Sequence, residues 1–349
     1  MARLRETGFL ILGYANLYSP DAIESVLPDV ATARAAWQSA GKDIAERLAR
    51  VADTLGLDSR TLDAAVLACT RLGMRHGRLG KDFHAYHNEL HALEVAERRL
   101  LRLARALGPD ALPNEDAAAL LLFACGHDLR QRETVDVPGP VGGNEAASVA
   151  ETFRVLDACG FDRERDRSQY IALELMIAGS TFDARPQPLP DPHTDDLPVV
   201  AGGALARGLA LWLDSEHPHW REDAAARRGE RLSRLSADLD TANVGEDFPL
   251  LCETAIRLCR EREMRAGRDI DSPASATPCL GFLGPGQQYY FFELHHFSSR
   301  EGERVFGPQK ALNGPRVRET SAALQARFAV EPPENGEAVI RAFAELTGA

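Results

Sequence analysis

Lysine is scarce in this chain of 349 residues, because it occurs only at Lys42, Lys81 and Lys310 and the other basic residues are arginine. Acidic residues outnumber basic ones by 52 to 40, so the formal net charge is −12. Proteins that bind nucleic acids need a basic surface to displace the counterions of the phosphates. The composition therefore argues against a nucleic-acid partner.

Long apolar runs and closely paired cysteines are also missing. The apolar patch at residues 8–13 is much shorter than the span of about 20 residues that crosses a bilayer, and the residues behind it form a poor signal-peptide cleavage site. The 6 cysteines form no CxxC pair, which is typical of reduced thiols. We therefore expect a cytoplasmic protein without a membrane partner, and a homodimer is compatible with the sequence.

Apolar residues recur at intervals of three and four along most of the chain, which is the period of an amphipathic helix. A segment that is apolar on all sides, residues 117–126, predicts a helix buried at the centre, with Asn114 as its N-cap. Only residues 288–294 could pass for a strand, so the sequence predicts an all-α fold. The predicted helices are a short one after Pro20 and residues 29–55, 59–76, 88–107, 117–126, 144–159, 165–181, 201–214, 222–240, 248–266, 287–297, 317–328 and 337–346.

Two stretches rich in proline, serine or glycine, residues 185–198 and 268–286, interrupt the helical pattern. Long loops in a compact domain are usually functional or disordered, so both stretches are candidate lids. The length allows one large domain or two smaller ones. We expect one catalytic domain over residues 61–330, with the helices of residues 1–60 packed on it and a C-terminal helix in residues 331–349.

Histidines and acids cluster in a pattern that is typical of a metal site. His87 and His91 are four residues apart and share one helix face. His127 and Asp128 end the buried helix, and the acidic segment 238–240 ends a later one. Two imidazoles and two carboxylates form a mixed nitrogen and oxygen site that suits Zn²⁺, Mn²⁺ or Fe²⁺, and a bridging carboxylate can hold a second, harder ion such as Mg²⁺.

The segment Tyr86-His87-Asn88-x-x-His91-Ala92-x-x-Val95 resembles the YHNxxHAxxV signature of the class I 3′,5′-cyclic nucleotide phosphodiesterases. These all-helical enzymes belong to the HD superfamily of metal-dependent phosphohydrolases. Later motifs follow in the family's order, and the resemblance covers roughly residues 80–300. It implies an HD-type helix bundle that hydrolyses a 3′,5′-cyclic nucleotide to the 5′-monophosphate. The later motifs are His127-Asp128, Ala237-Asp238-Leu239 and Gln288-x-x-Phe291.

The resemblance also implies a role for each matching residue. A first divalent ion, commonly Zn²⁺, would be bound by His91, His127, Asp128 and Asp238. Asp128 would share a second ion, Mg²⁺ or Mn²⁺, with a hydroxide between the two ions as nucleophile. His87 would be the general acid that protonates the leaving O3′, supported by Glu145. The nucleotide substrate would be contacted by Tyr86, Gln288 and Phe291.

Several positions depart from the family pattern. Gln131 stands where the family has a second histidine, Gly179-Ser180 replaces a Thr-Asp pair, and Thr241 replaces an asparagine. These differences motivate a second hypothesis, hydrolysis of another phosphate ester such as a nucleoside monophosphate or an alarmone. A di-iron oxygenase of the same superfamily would need a histidine where Asn144 stands. A degenerate scaffold that senses a ligand is a further alternative, disfavoured because every type of ligand residue is present.

Overall fold

The computed structural model describes residues 22–80, 82–131, 142–183 and 203–349. In these ranges helices predominate, and the strands are limited to β1 (Phe182–Asp183) and the antiparallel β2 (Gly203–Ala204). The all-α prediction is therefore confirmed. Residue contacts divide the described chain into two compact units, of which the first ends at Asp240 and the second begins at Thr241. The predicted catalytic domain over residues 61–330 stays a prediction.

The first unit contains eleven α-helices among its described residues. A π-helical segment, Glu94–Leu100, joins α5 to α6, and short 3₁₀ turns cover Leu205–Arg207 and Trp220–Glu222. The helices are α1 (Ala22–Val26), α2 (Val30–Ser39), α3 (Ile44–Leu55), α4 (Ser59–Arg75), α5 (Glu89–Leu93), α6 (Leu101–Leu107), α7 (Asn114–Gly126), α8 (Gly143–Ala158), α9 (Arg167–Ser180), α10 (Leu209–Glu216) and α11 (Ala224–Thr241).

Helix α7 is buried along most of its length, as its apolar sequence predicts. Its start differs from the prediction, because Pro113 is the N-cap and Asn114 is already helical. The Asn114 side-chain amide instead donates a hydrogen bond to the carbonyl oxygen of Gly56, at 3.0 Å. The buried helix carries His127 and Asp128 at its C-terminal end, so its packing fixes where these two residues lie.

The predicted helix over residues 29–55 is two helices, α2 and α3. Gly41 lies between them with a φ of 64°, a left-handed conformation that favours glycine and ends a helix. Helix α2 packs on α4, where the Trp37 indole donates to the Thr70 hydroxyl at 2.8 Å. The N-terminal helices therefore belong to the same compact unit as α4.

The second unit is also helical. Residues 268–286, predicted as a long loop, instead contain one 3₁₀ turn, the short helix α13 (Ala276–Gly281) and a π-helical segment, with Cys279 and Leu283 in the apolar core. The strand-like residues 288–294 are helical as well, and the other proline-rich stretch, 185–198, lies outside the described residues. The elements are a 3₁₀ turn Ala242–Gly245, α12 (Phe248–Arg265), a 3₁₀ turn Pro273–Ser275, α13 (Ala276–Gly281), π-helical Phe282–Gly286, α14 (Gln287–Tyr289), π-helical Tyr290–Leu294, α15 (Arg300–Arg327) and α16 (Gly336–Thr347).

None of the helices in the described ranges combines the length and the apolar character that a bilayer-spanning segment requires.

Candidate metal centre

His127 is held in a defined orientation at the end of α7. Its Nδ1 lies 3.0 Å from the carbonyl oxygen of Phe123, one turn earlier, and its ring stacks on the Phe123 ring at 4.6 Å between centroids. A carbonyl oxygen can only accept a hydrogen bond, so Nδ1 carries a proton. In the neutral ring, the lone pair of Nε2 is therefore available to a metal ion.

His91 is placed by the first turn of α5. Asn88 caps this helix, because its side-chain oxygen accepts from the Leu90 amide at 2.9 Å while its side-chain nitrogen donates to the His84 carbonyl at 2.6 Å. The ring of Tyr86 lies 4.3 Å from the ring of His91. Tyr86 is buried, so its position in the structure is that of a packing partner of His91. The predicted substrate contact by Tyr86 stays a prediction.

Three donor atoms from separate helices converge. His91 Nε2, His127 Nε2 and a carboxylate oxygen of Asp240 all lie within 4.8 Å of one another. The Asp240 Oδ1 atom is 3.1 Å from His91 Nε2 and 3.4 Å from His127 Nε2. Asp128 Oδ2 adds a fourth donor, at 3.1 Å from His127 Nε2 and 3.7 Å from His91 Nε2. Two imidazole nitrogens and two carboxylate oxygens thus face a common point.

The hydrogen bonding of this group fits a metal ion. His127 Nε2 and Asp128 Oδ2 are both buried and make no hydrogen bond of normal geometry, although they lie 3.1 Å apart. Buried polar atoms are nearly always satisfied, and a cation bound by both atoms would satisfy them. A mixed set of imidazoles and carboxylates suits Zn²⁺, Mn²⁺ or Fe²⁺. The residues present therefore fit a divalent ion.

The electrostatics of the group also favour a cation. Burial acts to lower the pKa of His127, but the carboxylates of Asp128 and Asp240 outweigh it and raise this pKa well above the usual value. Burial acts to raise the pKa of Asp128, but the charge of His127 outweighs it and brings the pKa down to about 2. The proton on His127 thus provides positive charge among acids, and a divalent ion can take over this role.

The acid that joins the histidines is Asp240, whereas the sequence predicts Asp238. Both residues lie near the C-terminal end of α11, but Asp238 is not among the three converging residues. Two positions along a helix correspond to a rotation of about 200°, so the two side chains leave the helix on nearly opposite sides. The structure therefore places Asp240 in the converging group, and the predicted ligand role of Asp238 stays a prediction.

His87 and Glu145 border the group without belonging to it. The ring of His87 is half-buried, and its centroid lies 6.3 Å from that of His91. Glu145 lies in the first turn of α8, where burial and then the charges of Asp128 and Asp240 raise its pKa to about 7. His87 interacts electrostatically with both Asp128 and Glu145. Their positions are compatible with the predicted roles in proton transfer, which stay predictions.

Two amide side chains orient Asp128. The Gln131 side chain donates to Asp128 Oδ1 at 2.8 Å, and the Asn144 side chain donates to Gln131 Oε1 at 3.0 Å. Because Oδ1 is held in this way, Oδ2 is the oxygen that faces the imidazoles. In the sequence, Gln131 and Asn144 stand out only because a histidine is expected at each position in a related family. No sequence pattern indicates that the two residues contact each other.

The departure at Gly179-Ser180 has a packing explanation. These residues end α9, and a side-chain carbon added at Gly179 would come within 2.9 Å of the Ser233 Cβ atom on α11. Glycine therefore allows α9 and α11 to approach closely at this point. Ser180 donates to the carbonyl oxygen of Ile177 at 2.8 Å, within its own helix.

The two residues predicted to contact a base lie in the second unit. Phe291 is 3% exposed and is part of the apolar core of that unit, where it borders a small cavity with Phe248 and Phe343. Gln288 is half-buried on α14, while the neighbouring Gln287 borders the cavity. Phe291 thus lies in an apolar core beside a cavity, and its predicted stacking on a nucleotide base stays a prediction.

A second group of potential ligands lies beside the first. His76, Asp82 and His84 place one potential ligand atom each within 4.8 Å of the others. Asp82 Oδ2 is 3.3 Å from His84 Nε2 and 3.6 Å from His76 Nδ1. Both histidines are buried, whereas the Asp82 side chain is 53% exposed. The motifs in the sequence assign no role to His76 or His84.

A scan of the chain against protein-family models finds no match, and a search of curated proteins finds no significant relative.

Proposed function

We propose that the protein is a divalent-metal-dependent hydrolase of phosphate esters, related to the HD superfamily. The convergence of His91, His127 and Asp240, with the unsatisfied Oδ2 of Asp128 beside them, is the observation that carries the proposal. When bound there, a divalent ion neutralises phosphate oxygens and lowers the pKa of a water molecule. The resemblance of residues 86–95 to the phosphodiesterase signature supports a phosphate ester as the substrate.

The side chains of this chain supply the remaining chemistry. His91, His127, Asp128 and Asp240 would hold the ion at the place where the phosphate binds. A water molecule adds to phosphorus and gives up one proton to the solvent, the bond from phosphorus to the leaving O3′ breaks, and His87 donates the proton that this oxygen needs. An imidazole suits this role because its ordinary pKa is about 6.5. His87 interacts electrostatically with Glu145, and we assign to Glu145 the return of a proton to His87 after each turnover.

A 3′,5′-cyclic nucleotide is the substrate that we propose first, because the signature residues match that family. A non-cyclic phosphate ester, such as a nucleoside monophosphate or an alarmone, is the second candidate. The departures from the family pattern at Gln131 and at Gly179-Ser180 favour this second candidate. Both substrate classes use the same ligands and the same general acid.

The test is a substrate panel with the intact chain. The protein is stripped with a chelator, reloaded separately with Zn²⁺, Mn²⁺ and Mg²⁺, and incubated with cyclic nucleotides, nucleoside monophosphates and an alarmone. We expect one class to be hydrolysed, with activity that depends on the added ion and is lost in His91→Ala. Ion binding without hydrolysis of any phosphate ester would show that the protein binds a metal ion but lacks the proposed activity.

A further inference from the structure

His76 lies directly behind the metal centre, at the point where α4 ends. It is 1% exposed, and its backbone N–H donates to the Leu72 carbonyl at 2.9 Å. Its ring Nε2 accepts a hydrogen bond from the backbone N–H of Gln131 at 3.2 Å. The side chain of Gln131 in turn donates to Asp128 Oδ1. A continuous path of hydrogen bonds thus leads from His76 to a carboxylate of the metal centre.

This contact is one of three that hold consecutive residues behind Asp128. The Arg75 guanidinium donates to the carbonyl oxygen of Leu129 at 3.2 Å. The backbone N–H of Arg130 donates to the Ser148 hydroxyl at 3.1 Å. The backbone N–H of Gln131 is held by His76, so helices α4 and α8 fix every residue of the segment from 129 to 131.

The hydrogen bond from Gln131 also decides the proton position on His76. A backbone N–H can only donate, so Nε2 must be the unprotonated nitrogen and Nδ1 carries the proton. Burial and then the neighbouring His84 lower the pKa of His76 to about 3, in agreement with a neutral ring. The protonated Nδ1 points towards Asp82 Oδ2, at 3.6 Å. In this tautomer Nδ1 has no free lone pair, so an ion bound by His76, Asp82 and His84 would require the hydrogen bond from Gln131 to break.

We propose that His76 is a positioning residue of the metal centre, which fixes the backbone of Gln131 and thereby the orientation of the Asp128 carboxylate. The inference rests on the metal centre of the proposed function but not on the identity of its substrate. Without the acceptor at His76, the backbone N–H of Gln131 loses its hydrogen bond, and the Gln131 side chain is no longer held in place. Asp128 can then rotate its Oδ2 away from His91 and His127. The ion would then be bound less tightly and with a different geometry.

The experiment uses Co²⁺ as the probe in the intact chain, because its visible absorption reports the geometry of the ligands. His76→Phe removes the acceptor but keeps an aromatic ring in the buried site. We expect it to weaken Co²⁺ binding by about 10–100-fold and to change the absorption bands, as is usual when a partner of a metal ligand is lost. His76→Gln can place an oxygen near the position of Nε2, so it should restore affinity and spectrum to nearly those of the unchanged protein.

His84→Phe is the matched control, because His84 is equally buried and its Nε2 lies 3.3 Å from Asp82 Oδ2. We expect this variant to keep the spectrum of the unchanged protein. Gln131→Met should reproduce the effect of His76→Phe, and the double variant should be no weaker than either single one, because both act on one path. If His76→Phe does not fold, as judged by circular dichroism, Gln131→Met and His76→Gln provide the same comparison.

Three outcomes would overturn the inference, and they differ from one another. Unchanged Co²⁺ affinity and spectrum in the His76 and Gln131 variants would show that the path has no effect on the metal centre. Loss of a second equivalent of Co²⁺ in both His76→Phe and His84→Phe would show that these histidines bind an ion themselves. If the unchanged protein binds no Co²⁺, the proposed metal centre fails together with the inference.

Discussion

The ring of His127 donates from Nδ1 to the carbonyl oxygen of Phe123, its neighbour one helical turn earlier in α7. This hydrogen bond and the stacking of the two rings fix the tautomer and the direction of Nε2 before any ion arrives. Preorganised ligands lose little conformational freedom on binding, which strengthens the affinity for the ion. The buried helix α7 therefore also orients one of the potential metal ligands, His127.

The identity of the acidic ligand gives the first prediction. Asp240→Asn should lower the affinity for Zn²⁺ or Co²⁺ by more than about 100-fold, because the loss of a ligand should exceed the 10–100-fold effect of losing a partner of a ligand. Asp238→Asn makes the same chemical change two residues earlier and should retain the ion. Equilibrium dialysis with elemental analysis measures both variants. The reverse result would show that the sequence-based assignment to Asp238 is right.

The sequence predicts most of the helices because apolar residues at helical spacing are a local property. It also predicts that His91, His127 and an acid from residues 238–240 meet, because each ends or begins a recognisable helix. The choice between Asp238 and Asp240 is different, since it depends on how α11 is rotated about its axis against α5 and α7. That rotation is set by packing along the whole helix, including the close approach at Gly179, and no local pattern encodes it.

The surroundings of Asp128 show a second limit of sequence reasoning. Gln131 and Asn144 are 13 residues apart, and His76 lies 55 residues before Gln131, yet the three join in one path of hydrogen bonds. Amide and imidazole side chains have many possible partners, so their contacts follow only from the tertiary structure. A position that lacks an expected histidine can therefore carry a different but equally specific interaction.

The general acid gives the second prediction. His87→Ala should reduce kcat by about 10²–10⁴-fold, which is the usual contribution of general acid catalysis. Its affinity for the ion should stay unchanged, because the ring of His87 borders the ligands and is not one of the converging groups. Turnover at saturating ion and a separate ion titration distinguish the two effects. A variant that loses the ion as well as activity would make His87 a ligand, contrary to this assignment.

The third prediction concerns the arginine that holds the end of α11. Arg99 is fully buried in the π-helical segment, and its guanidinium donates to the carbonyl oxygens of Leu239, at 3.0 Å, and Asp240. Arg99→Leu removes these charge-assisted hydrogen bonds and should lower the free energy of unfolding by about 1.5–3 kcal/mol. It should also weaken ion binding, because the backbone of Asp240 loses its support.

Arg98→Leu is the control for this variant. Arg98 is the neighbouring residue, and its side chain is 32% exposed and paired with Glu94 in the same helix. A partly exposed pair of this kind contributes about 0–1 kcal/mol, so the control should change stability little. Urea denaturation followed by circular dichroism measures both variants. Equal losses for Arg98→Leu and Arg99→Leu would contradict a special role for the buried arginine.

The last prediction is a pH dependence of stability in the N-terminal helices. Glu24 on α1 packs beside the fully buried Glu151, while Arg71 Nη1 is 3.5 Å from Glu24 Oε1. Burial and then the contact with Glu151 raise the pKa of Glu24 to about 7. The folded protein therefore holds a proton here that the unfolded chain, with an ordinary glutamate pKa of about 4.3, releases earlier. This contribution to stability is present at low pH and is lost as the pH rises towards 7.

Glu24→Gln removes the titration, because the amide resembles the protonated acid and stays neutral. Relative to the unchanged protein, this variant should gain stability as the pH rises from 5 to 8. Glu46→Gln, an exposed substitution on α3, should show no such trend. Urea denaturation at several pH values between 5 and 8 measures the free energy of unfolding for all three proteins. If the difference between Glu24→Gln and the unchanged protein is the same at every pH, Glu24 does not hold the proton, and the contact between α1 and α8 is independent of its charge.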